Sequence, residues 1–193
     1  MVTAARASTE DRFLDAAERL LIRVGHAGVT TRVLAEEAGA NAGLVHYYFG
    51  SIDQLFARVL ARFTERLIER QRAMYAEDRP FIEKWRQAMG YLDVDRDYQK
   101  IWYELQALAW NRPHLRQGVA AVNAEWRAVL TEALAGQRAA YGVDLPLDAL
   151  VALVMTFNQG LILERLSGIR TGQDELLGAI DAWLVNHAEG RGR

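Results

Sequence analysis

The chain has 193 residues, 51% of them apolar and 25% charged, which is enough apolar material to build a packed core. It contains no cysteine, which excludes disulfides and thiolate chemistry and is expected of a protein in a reducing cytoplasm. The formal net charge is −2, so bulk charge does not predict a nucleic-acid partner. The N-terminal stretch lacks the apolar segment of a signal peptide, and no apolar run approaches the ~18 residues of a membrane span. We therefore expect a soluble cytoplasmic protein with no membrane partner.

The first predicted element is a helix that begins at Thr9. Its apolar residues recur at helical spacing from Phe13 to Val24, and Gly25 and Gly28 end it. Residues 1–8 read as a loose arm. This helix supplies an apolar face for whatever follows it.

Two short helices joined by a tight turn are predicted next. Thr31 is expected to cap the first, and Gly39 ends it in the left-handed conformation that a sharp reversal requires. Asn41 is expected to cap the second, which leaves a turn of about three residues, as in a helix-turn-helix.

The second short helix, residues 42–49, has two distinct faces. Val45, Tyr48 and Phe49 share one face and should pack inward. The opposite face carries two small residues and two aromatic rings, at Ala42, Gly43, His46 and Tyr47. A face of this kind suits insertion into the major groove of DNA, which is wide enough for one helix.

The order of residues here resembles the TetR family of transcriptional regulators. The matching positions are Thr30, Thr31, Leu34, Ala35, Ala38, Gly39, Gly43, Tyr48, Phe49, Ser51, Asp53 and Leu55. The chain departs from the family pattern at Leu44 and His46, where the family usually has Thr and Tyr, and at Ile52, where it has Lys. The loss of the lysine removes one phosphate contact, although backbone N–H groups at that helix start can still bind an anion.

The predicted DNA contacts depend on local features rather than on net charge. Residues 38–52 contain no acid, so this face does not repel phosphate. The expected DNA-binding residues are Thr30, Thr31, Arg32, Asn41, Ala42, Gly43, Leu44, His46, Tyr47 and Ser51. Because few of them are cationic, affinity should depend only weakly on salt.

The rest of the chain is predicted to be helical. Helices are expected over residues 52–75, 80–92, 93–111, 115–140, 147–166 and 174–187, with a disordered tail over 189–193. No strand, repeat or low-complexity segment is evident. The fold class is therefore all-α, with about nine helices. The resemblance implies a helix-turn-helix DNA-binding domain over residues 1–51 and an effector-binding and dimerisation domain over 52–193.

Metal and enzyme chemistry are not expected, and neither is a cofactor. Residues 93–104 imitate a calcium loop, but Tyr98 stands where the loop needs glycine and Lys100 lies inside it. The four histidines lack the spacing of a di-metal site, and no phosphate-binding loop or nucleophile elbow is present. Glu164, in an apolar helix, is the one carboxylate that could suggest catalysis, and Arg165 and Arg127 are its expected partners.

A small-molecule effector site is predicted in the middle helices. Its candidate residues are aromatic or polar: Trp85, Tyr91, Trp102, Tyr103, Gln106, Trp110, Trp126, Phe157 and Gln159. Each one taken alone is more often ordinary core than a ligand contact, and the prediction depends on their density. The ligand would be sizeable and hydrophobic or aromatic, and by preferring a wider separation of two DNA-reading units it would lower operator affinity.

The last two helices are predicted to form a dimer interface, as the resemblance implies. The helix over 147–166 is apolar nearly all round and must be covered on two sides. The expected interface residues are Leu150, Val151, Val154, Met155, Ile162, Leu177, Ile180, Trp183 and Leu184. A dimer would bind a near-palindromic operator and would, by the resemblance, be a repressor. The alternative is an all-helical ligand- or protein-binding module that has lost DNA recognition.

Overall fold

The computed structural model describes residues 8–189, and these contain α-helices joined by short turns, with no strand. The helices are α1 Thr9–Val24, α2 Thr31–Ala38, α3 Gly43–Phe49, α4 Ile52–Ala76, α5 Phe81–Val94, α6 Arg96–Ala109, α7 Pro113–Ala140, α8 Leu147–Leu166 and α9 Gln173–Glu189. A single 3₁₀ turn, His26–Gly28, follows α1. The all-α prediction is confirmed over the described residues.

The helix ends correct several details of the sequence reading. Thr30, not Thr31, caps α2, and its hydroxyl accepts a hydrogen bond from the Val33 amide at 3.2 Å. Helix α6 begins only at Arg96, so the acidic run before it closes α5 rather than opening α6. The predicted arm and tail mostly lie outside the described residues. At their inner edges, Ser8 caps α1 through a capping box with Asp11, and α9 runs to Glu189.

The chain forms two compact units. The first contains the residues up to 65 together with Asp97–Val122, and the second contains Arg66–Arg96 together with the residues from 123 onward. Helices α4 and α7 each contribute to both units. The domain boundary at residues 51 and 52 therefore stays a prediction about function, because the packing groups α6 and the first part of α7 with the N-terminal helices.

The first unit has a fully buried core. Phe13, Leu34, Val45, Leu55 and Leu105 are each inaccessible to solvent. The helical periodicity of α1 explains most of this packing, because five of its six buried residues lie on the predicted apolar stripe. Leu14 is buried beside that stripe, and Val24 at its end is 49% exposed.

The second unit has a core built between α7 and α8. Leu130 and Leu134 of α7 are buried against Val151 of α8, and five partly buried side chains surround them: Phe81, Leu147, Leu150, Val154 and Met155. A bidentate ion pair also joins α5 to α9, because Arg86 donates to the two carboxylate oxygens of Asp181 at 2.6 and 2.8 Å. The second unit is therefore held by apolar packing and by specific ion pairs.

Candidate nucleic-acid interface

One face of α3 packs against α1 through a buried aromatic contact. The rings of Phe13 and Phe49 meet edge to face, with centroids 6.2 Å apart. Val45 is fully buried beside them, so one face of α3 is fixed. Tyr48 was predicted to pack inward, and it does so only in part. Its ring lies 6.5 Å from that of Phe13, but the residue stays 36% exposed.

The turn between α2 and α3 depends on Gly39. Its backbone is left-handed, with φ 59° and ψ 42°, and its N–H donates to carbonyls of the last turn of α2. The guanidinium of Arg12 donates to the Ala38 carbonyl and also to that of Gly39. Sequence reasoning missed this role of Arg12, since nothing in the helical pattern of α1 shows what its polar face contacts.

Three polar residues of the predicted DNA-binding set accept backbone hydrogen bonds near helix starts. Asn41 was expected to cap α3, but the residue at the N-cap is Ala42, which makes no side-chain capping hydrogen bond. The side-chain oxygens of Thr30, Asn41 and Ser51 accept hydrogen bonds from backbone N–H groups at 3.2, 2.8 and 3.2 Å. Their hydroxyl and amide hydrogens remain able to donate. These residues can therefore bind phosphate oxygens without giving up these hydrogen bonds.

The outward face of α3 has the composition that the sequence predicts. Ala42, Gly43, His46 and Tyr47 are all exposed, and Tyr47 has 79% of its surface accessible. The Tyr47 ring meets that of Tyr48 edge to face at 5.0 Å, which restricts its direction. Leu44 is half-buried. At this face, the small residues Ala42 and Gly43 allow the helix backbone to come close to another surface, and the Tyr47 phenol has a restricted direction.

His46 is oriented by a contact to its own helix end. Its Nδ1 lies 3.0 Å from the carbonyl oxygen of Gly50. Because a carbonyl only accepts, Nδ1 carries the hydrogen, and Nε2 is left for a partner outside the helix.

Most arginines of the first unit are paired with acids rather than free for phosphate. Arg19 and Arg23 both donate to Glu37, at 2.9 and 2.7 Å, and these hydrogen bonds lower the pKa of Glu37 below 4.5. Arg32, the one arginine in the predicted set, has 87% of its side chain exposed and contacts only Glu36 one turn away. A surface pair of that kind is easily exchanged for a phosphate.

The predicted effector residues are distributed over both compact units. Trp102 is buried in the first unit, where Tyr103 is half-buried and its pKa is raised to about 12 by desolvation. Trp110 is 70% exposed, and Gln106 has a side-chain oxygen that is buried without a hydrogen-bond partner. The remaining predicted effector residues lie half-buried in the second unit: Trp85, Tyr91, Trp126, Phe157 and Gln159.

Within the second unit, Phe157 lines an open groove of about 420 Å³ on α8 and α9, together with Leu153, Gly160 and Leu176. Glu164 also lines it and accepts a hydrogen bond at 2.8 Å from Gln173. The structure therefore shows Gln173 beside Glu164, where the sequence reading expected an arginine. Asn158, which sequence reasoning missed, has a buried side-chain oxygen without a hydrogen-bond partner.

The predicted dimer residues of α8 and α9 differ in their accessibility. Val151 and Leu184 are buried within the chain, and Leu150, Val154 and Met155 pack on the α7–α8 core. Ile162, Leu177 and Ile180 are half-buried. The large apolar side chains exposed on these two helices are Leu153, Leu163, Leu176 and Trp183. Apart from Trp183, these exposed side chains are not among the predicted interface residues.

Among the described residues, α8 is also long and apolar enough to cross a membrane by length and composition alone. This corrects the expectation that no apolar run reaches that length. Length and composition do not distinguish a span from a helix that packs between protein surfaces. Among the same residues, no group of three or more metal-ligating side chains comes together.

Comparison with known proteins assigns the N-terminal unit. Residues 13–59, from α1 into α4, match the tetR family of bacterial regulatory proteins. These N-terminal helices are those of the TetR family. It carries the DNA-binding helix-turn-helix of these transcriptional regulators.

One curated relative of this chain is an uncharacterised HTH-type transcriptional regulator of Haemophilus influenzae. The two are 28% identical over 102 residues, which cover 53% of this chain and 50% of the relative. The chain therefore matches half the length of that relative.

Solved structures extend the likeness in fold to nearly the whole chain. A transcriptional regulator from Rhodococcus is 18% identical, with a TM-score of 0.72 over 95% of this chain and 97% of its own. FadR of Bacillus subtilis, solved with stearoyl-CoA, is 14% identical, with a TM-score of 0.73 over 92% and 98%. The multidrug binding protein EbrR, complexed with imidazole, is 24% identical, with a TM-score of 0.65 over 93% and 96%.

Proposed function

We propose that this chain is a homodimeric, sequence-specific repressor that leaves a near-palindromic operator when a small hydrophobic or aromatic ligand binds. The main support for DNA recognition is the outward face of α3. It is exposed, free of acids over residues 38–52, and mounted on a fully buried three-helix core. A rigid helix with an accessible face is what major-groove recognition requires.

Homodimerisation is supported by the apolar surface of α8 and α9. Leu153 is 57% exposed, Leu163 is 52% exposed and Leu176 is 47% exposed, and all three are aliphatic. Monomeric soluble proteins rarely leave contiguous apolar patches of this kind uncovered. A second copy of the chain would cover them, and two α3 helices would then meet half-sites ~34–36 Å apart. This arrangement also explains why α8 is apolar on both sides without crossing a membrane, and it fits a cytoplasmic protein.

Ligand binding is supported by the aromatic residues of the middle helices and by two unsatisfied acceptors. The side-chain oxygens of Gln106 and Asn158 are buried and have no hydrogen-bond partner among the described residues, and an unpaired buried acceptor costs about 1–3 kcal/mol. A ligand that offers a hydrogen-bond donor to either oxygen would recover that cost. FadR and EbrR, which resemble this chain in fold, were solved with small molecules bound, and this supports the proposal. No catalysis and no cofactor are proposed.

Selection from random double-stranded DNA tests the proposal directly. Purified protein is mixed with the pool at moderate salt, and the retained sequences are read. We expect a palindromic site that the protein binds as a dimer. If folded, dimeric protein retains no preferred sequence, the chain is instead a helical ligand- or protein-binding module that has lost DNA recognition through Leu44, His46 and Ile52.

The selected operator then allows the contact face to be tested. We expect Tyr47→Ala to weaken operator binding about tenfold, because each good base or phosphate contact is worth about 1–3 kcal/mol. Thermal stability should stay unchanged, since Tyr47 is 79% exposed. Leu145→Ala, at an exposed position in the loop before α8, is the control and should bind as the wild type does. Unchanged affinity in Tyr47→Ala would refute the assigned face.

A further inference from the structure

Two polar contacts join the helix-turn-helix to α6 and to the turn that follows it. At the exit of α1, the backbone N–H of His26 donates to Glu104 Oε1 at 2.8 Å, and the Nδ1 of the same histidine lies 2.5 Å from the same oxygen. At the start of α4, Arg112 donates to Asp53 Oδ1 at 2.6 Å. The two contacts lie at the two ends of the α2–α3 segment, and all four residues belong to the first compact unit.

Backbone geometry shows that the first contact is built into the fold. Gly25 has φ 68°, a conformation that side chains disfavour, and a Cβ placed on it would lie 2.7 Å from Glu104 Oε1. The chain therefore has a glycine where the carboxylate needs room. Because the carboxylate only accepts, His26 Nδ1 carries the hydrogen, and one oxygen of Glu104 receives both donors. The side chains of His26 and Glu104 are 33% and 30% exposed, so solvent screens this pair only in part.

Close packing accompanies the second contact. A Cβ on Gly118 of α7 would lie 2.9 Å from the Cβ of Ala57, so α7 touches α4 one turn beyond Asp53 with no space to spare. The Tyr98 hydroxyl of α6 and the Thr64 hydroxyl of α4 are also 3.2 Å apart and buried. Helix α4 is thus fixed against α6 and α7 over several turns of its first half.

We propose that Glu104 and Arg112 are positioning residues for DNA recognition. Glu104 fixes the segment that leads into α2 through His26, and Arg112 fixes the segment that leaves α3 through Asp53. Neither side chain lies on the outward face of α3. Together they set the orientation in which a dimer presents its two recognition helices, and so the operator spacing that it accepts. This inference rests on the proposed function.

The first measurement requires no DNA. Amide hydrogen exchange is compared between the wild-type protein and Glu104→Ala, with Glu65→Ala, at an exposed acid on α4, as the charge-matched control. We expect exchange at His26 and through the 3₁₀ turn to accelerate at least about tenfold, because the amide loses its acceptor. The interior of α1 should keep its protection, and the control should match the wild type. Equal exchange in all three proteins would overturn the inference.

The second measurement uses the operator that the wild-type protein selects. One base pair is inserted or removed at its centre, which shifts the half-sites by ~3.4 Å and rotates them by roughly 34°. We expect the wild type and Glu65→Ala to lose about tenfold in affinity for each altered spacing. Glu104→Ala should lose only about threefold in affinity, because its two α3 helices are held less rigidly. Glu104→Gln, which keeps an oxygen for the His26 amide, should recover most of the discrimination.

The outcomes are separable. If exchange accelerates but the spacing profile of Glu104→Ala equals that of the wild type, the contact is structural and the positioning role is wrong. If the wild type selects no DNA, the proposed function fails, and positioning for DNA recognition fails with it, while the exchange result still decides whether Glu104 holds the turn. If Glu104→Ala does not fold, Glu104→Gln and Arg112→Gln decide in its place, and a wild-type spacing profile in both would overturn the proposal.

Discussion

The N-terminal three-helix core and the outer surface of α8 and α9 use similar apolar residues in opposite ways. In the first, Phe13, Leu34 and Val45 have no accessible surface at all. In the second, Leu153 and Leu163 have more than half of theirs, at 57% and 52%. The first region completes its burial within one chain. The second leaves apolar surface exposed among the described residues, and this is the surface that we propose to pair with a second copy of the chain.

This difference separates stability from assembly. A side chain that is already buried contributes to folding, and its loss should unfold the unit that contains it. An exposed apolar side chain contributes little to the folding of the single chain, and its loss should change only association. The same kind of substitution therefore gives different measurements in the two regions.

The largest expected effect is a loss of stability from a substitution in the buried N-terminal core. Phe13→Ala should lower the free energy of unfolding by about 3–5 kcal/mol, because it removes a fully buried ring and its edge-to-face contact with Phe49. Denaturant unfolding followed by circular dichroism measures this loss. Leu163→Ala, on the exposed surface, should change monomer unfolding by less than about 1 kcal/mol. Similar losses in the two variants would abolish the distinction.

Charge placed on the exposed surface should break the dimer. Leu163→Asp puts a carboxylate into the proposed interface, where a buried unpaired charge costs several kcal/mol. We expect sedimentation velocity to show a shift from dimer to folded monomer at micromolar concentration. Leu145→Asp, at a 38% exposed position outside α8 and α9, should remain dimeric. A Leu163→Asp protein that stays dimeric would place the interface elsewhere.

Substitution of two glycines should change stability by smaller amounts. Gly39→Ala should destabilise by roughly 1–2 kcal/mol, because the residue has φ 59° and its Cβ would lie 3.1 Å from Arg12 Nη2. Gly136→Ala, within α7 and with no atom within 4 Å of the added Cβ, should stabilise by about 0.5–1 kcal/mol. Opposite signs in thermal unfolding would confirm that the turn requires its glycine. Equal signs would show that α2 and α3 tolerate another turn.

The smallest effect concerns the charged surface of the first unit. Hydrogen bonds from Arg19 and then from Arg23 lower the pKa of Glu37 below its ordinary 4.5. A lowered folded-state pKa means that this contribution to stability is complete above 4.5 and is lost as the pH falls through the folded value. Carboxyl titration by NMR should show the pKa of Glu37 rising in Arg19→Gln. An unchanged titration would mean that the pair does not persist in solution.

Local sequence signals predicted most of the secondary structure. The apolar stripe of α1, the glycines that end α1 and α2, and the proline that follows α6 act through neighbouring residues, and each predicted helix end lies within a few positions of the observed one. The cap of α2 was assigned one residue late, to Thr31 instead of Thr30. Two adjacent threonines offer the same hydroxyl, and only the backbone conformation decides which one turns toward the helix start.

The outward face of α3 was also predictable, since helical spacing alone separates Val45 and Phe49 from His46 and Tyr47. The sequence therefore determined an all-helical chain, a helix-turn-helix and a candidate DNA-reading face, because these depend on residues within one or two turns of each other. It could not show that Arg12 donates to the α2–α3 turn or that Glu104 pairs with His26 across 78 positions. Nor could it show which apolar stripe of α8 lies against α7. Those choices depend on contacts between distant segments, which only the tertiary structure decides, because a helix with two apolar sides can bury either one.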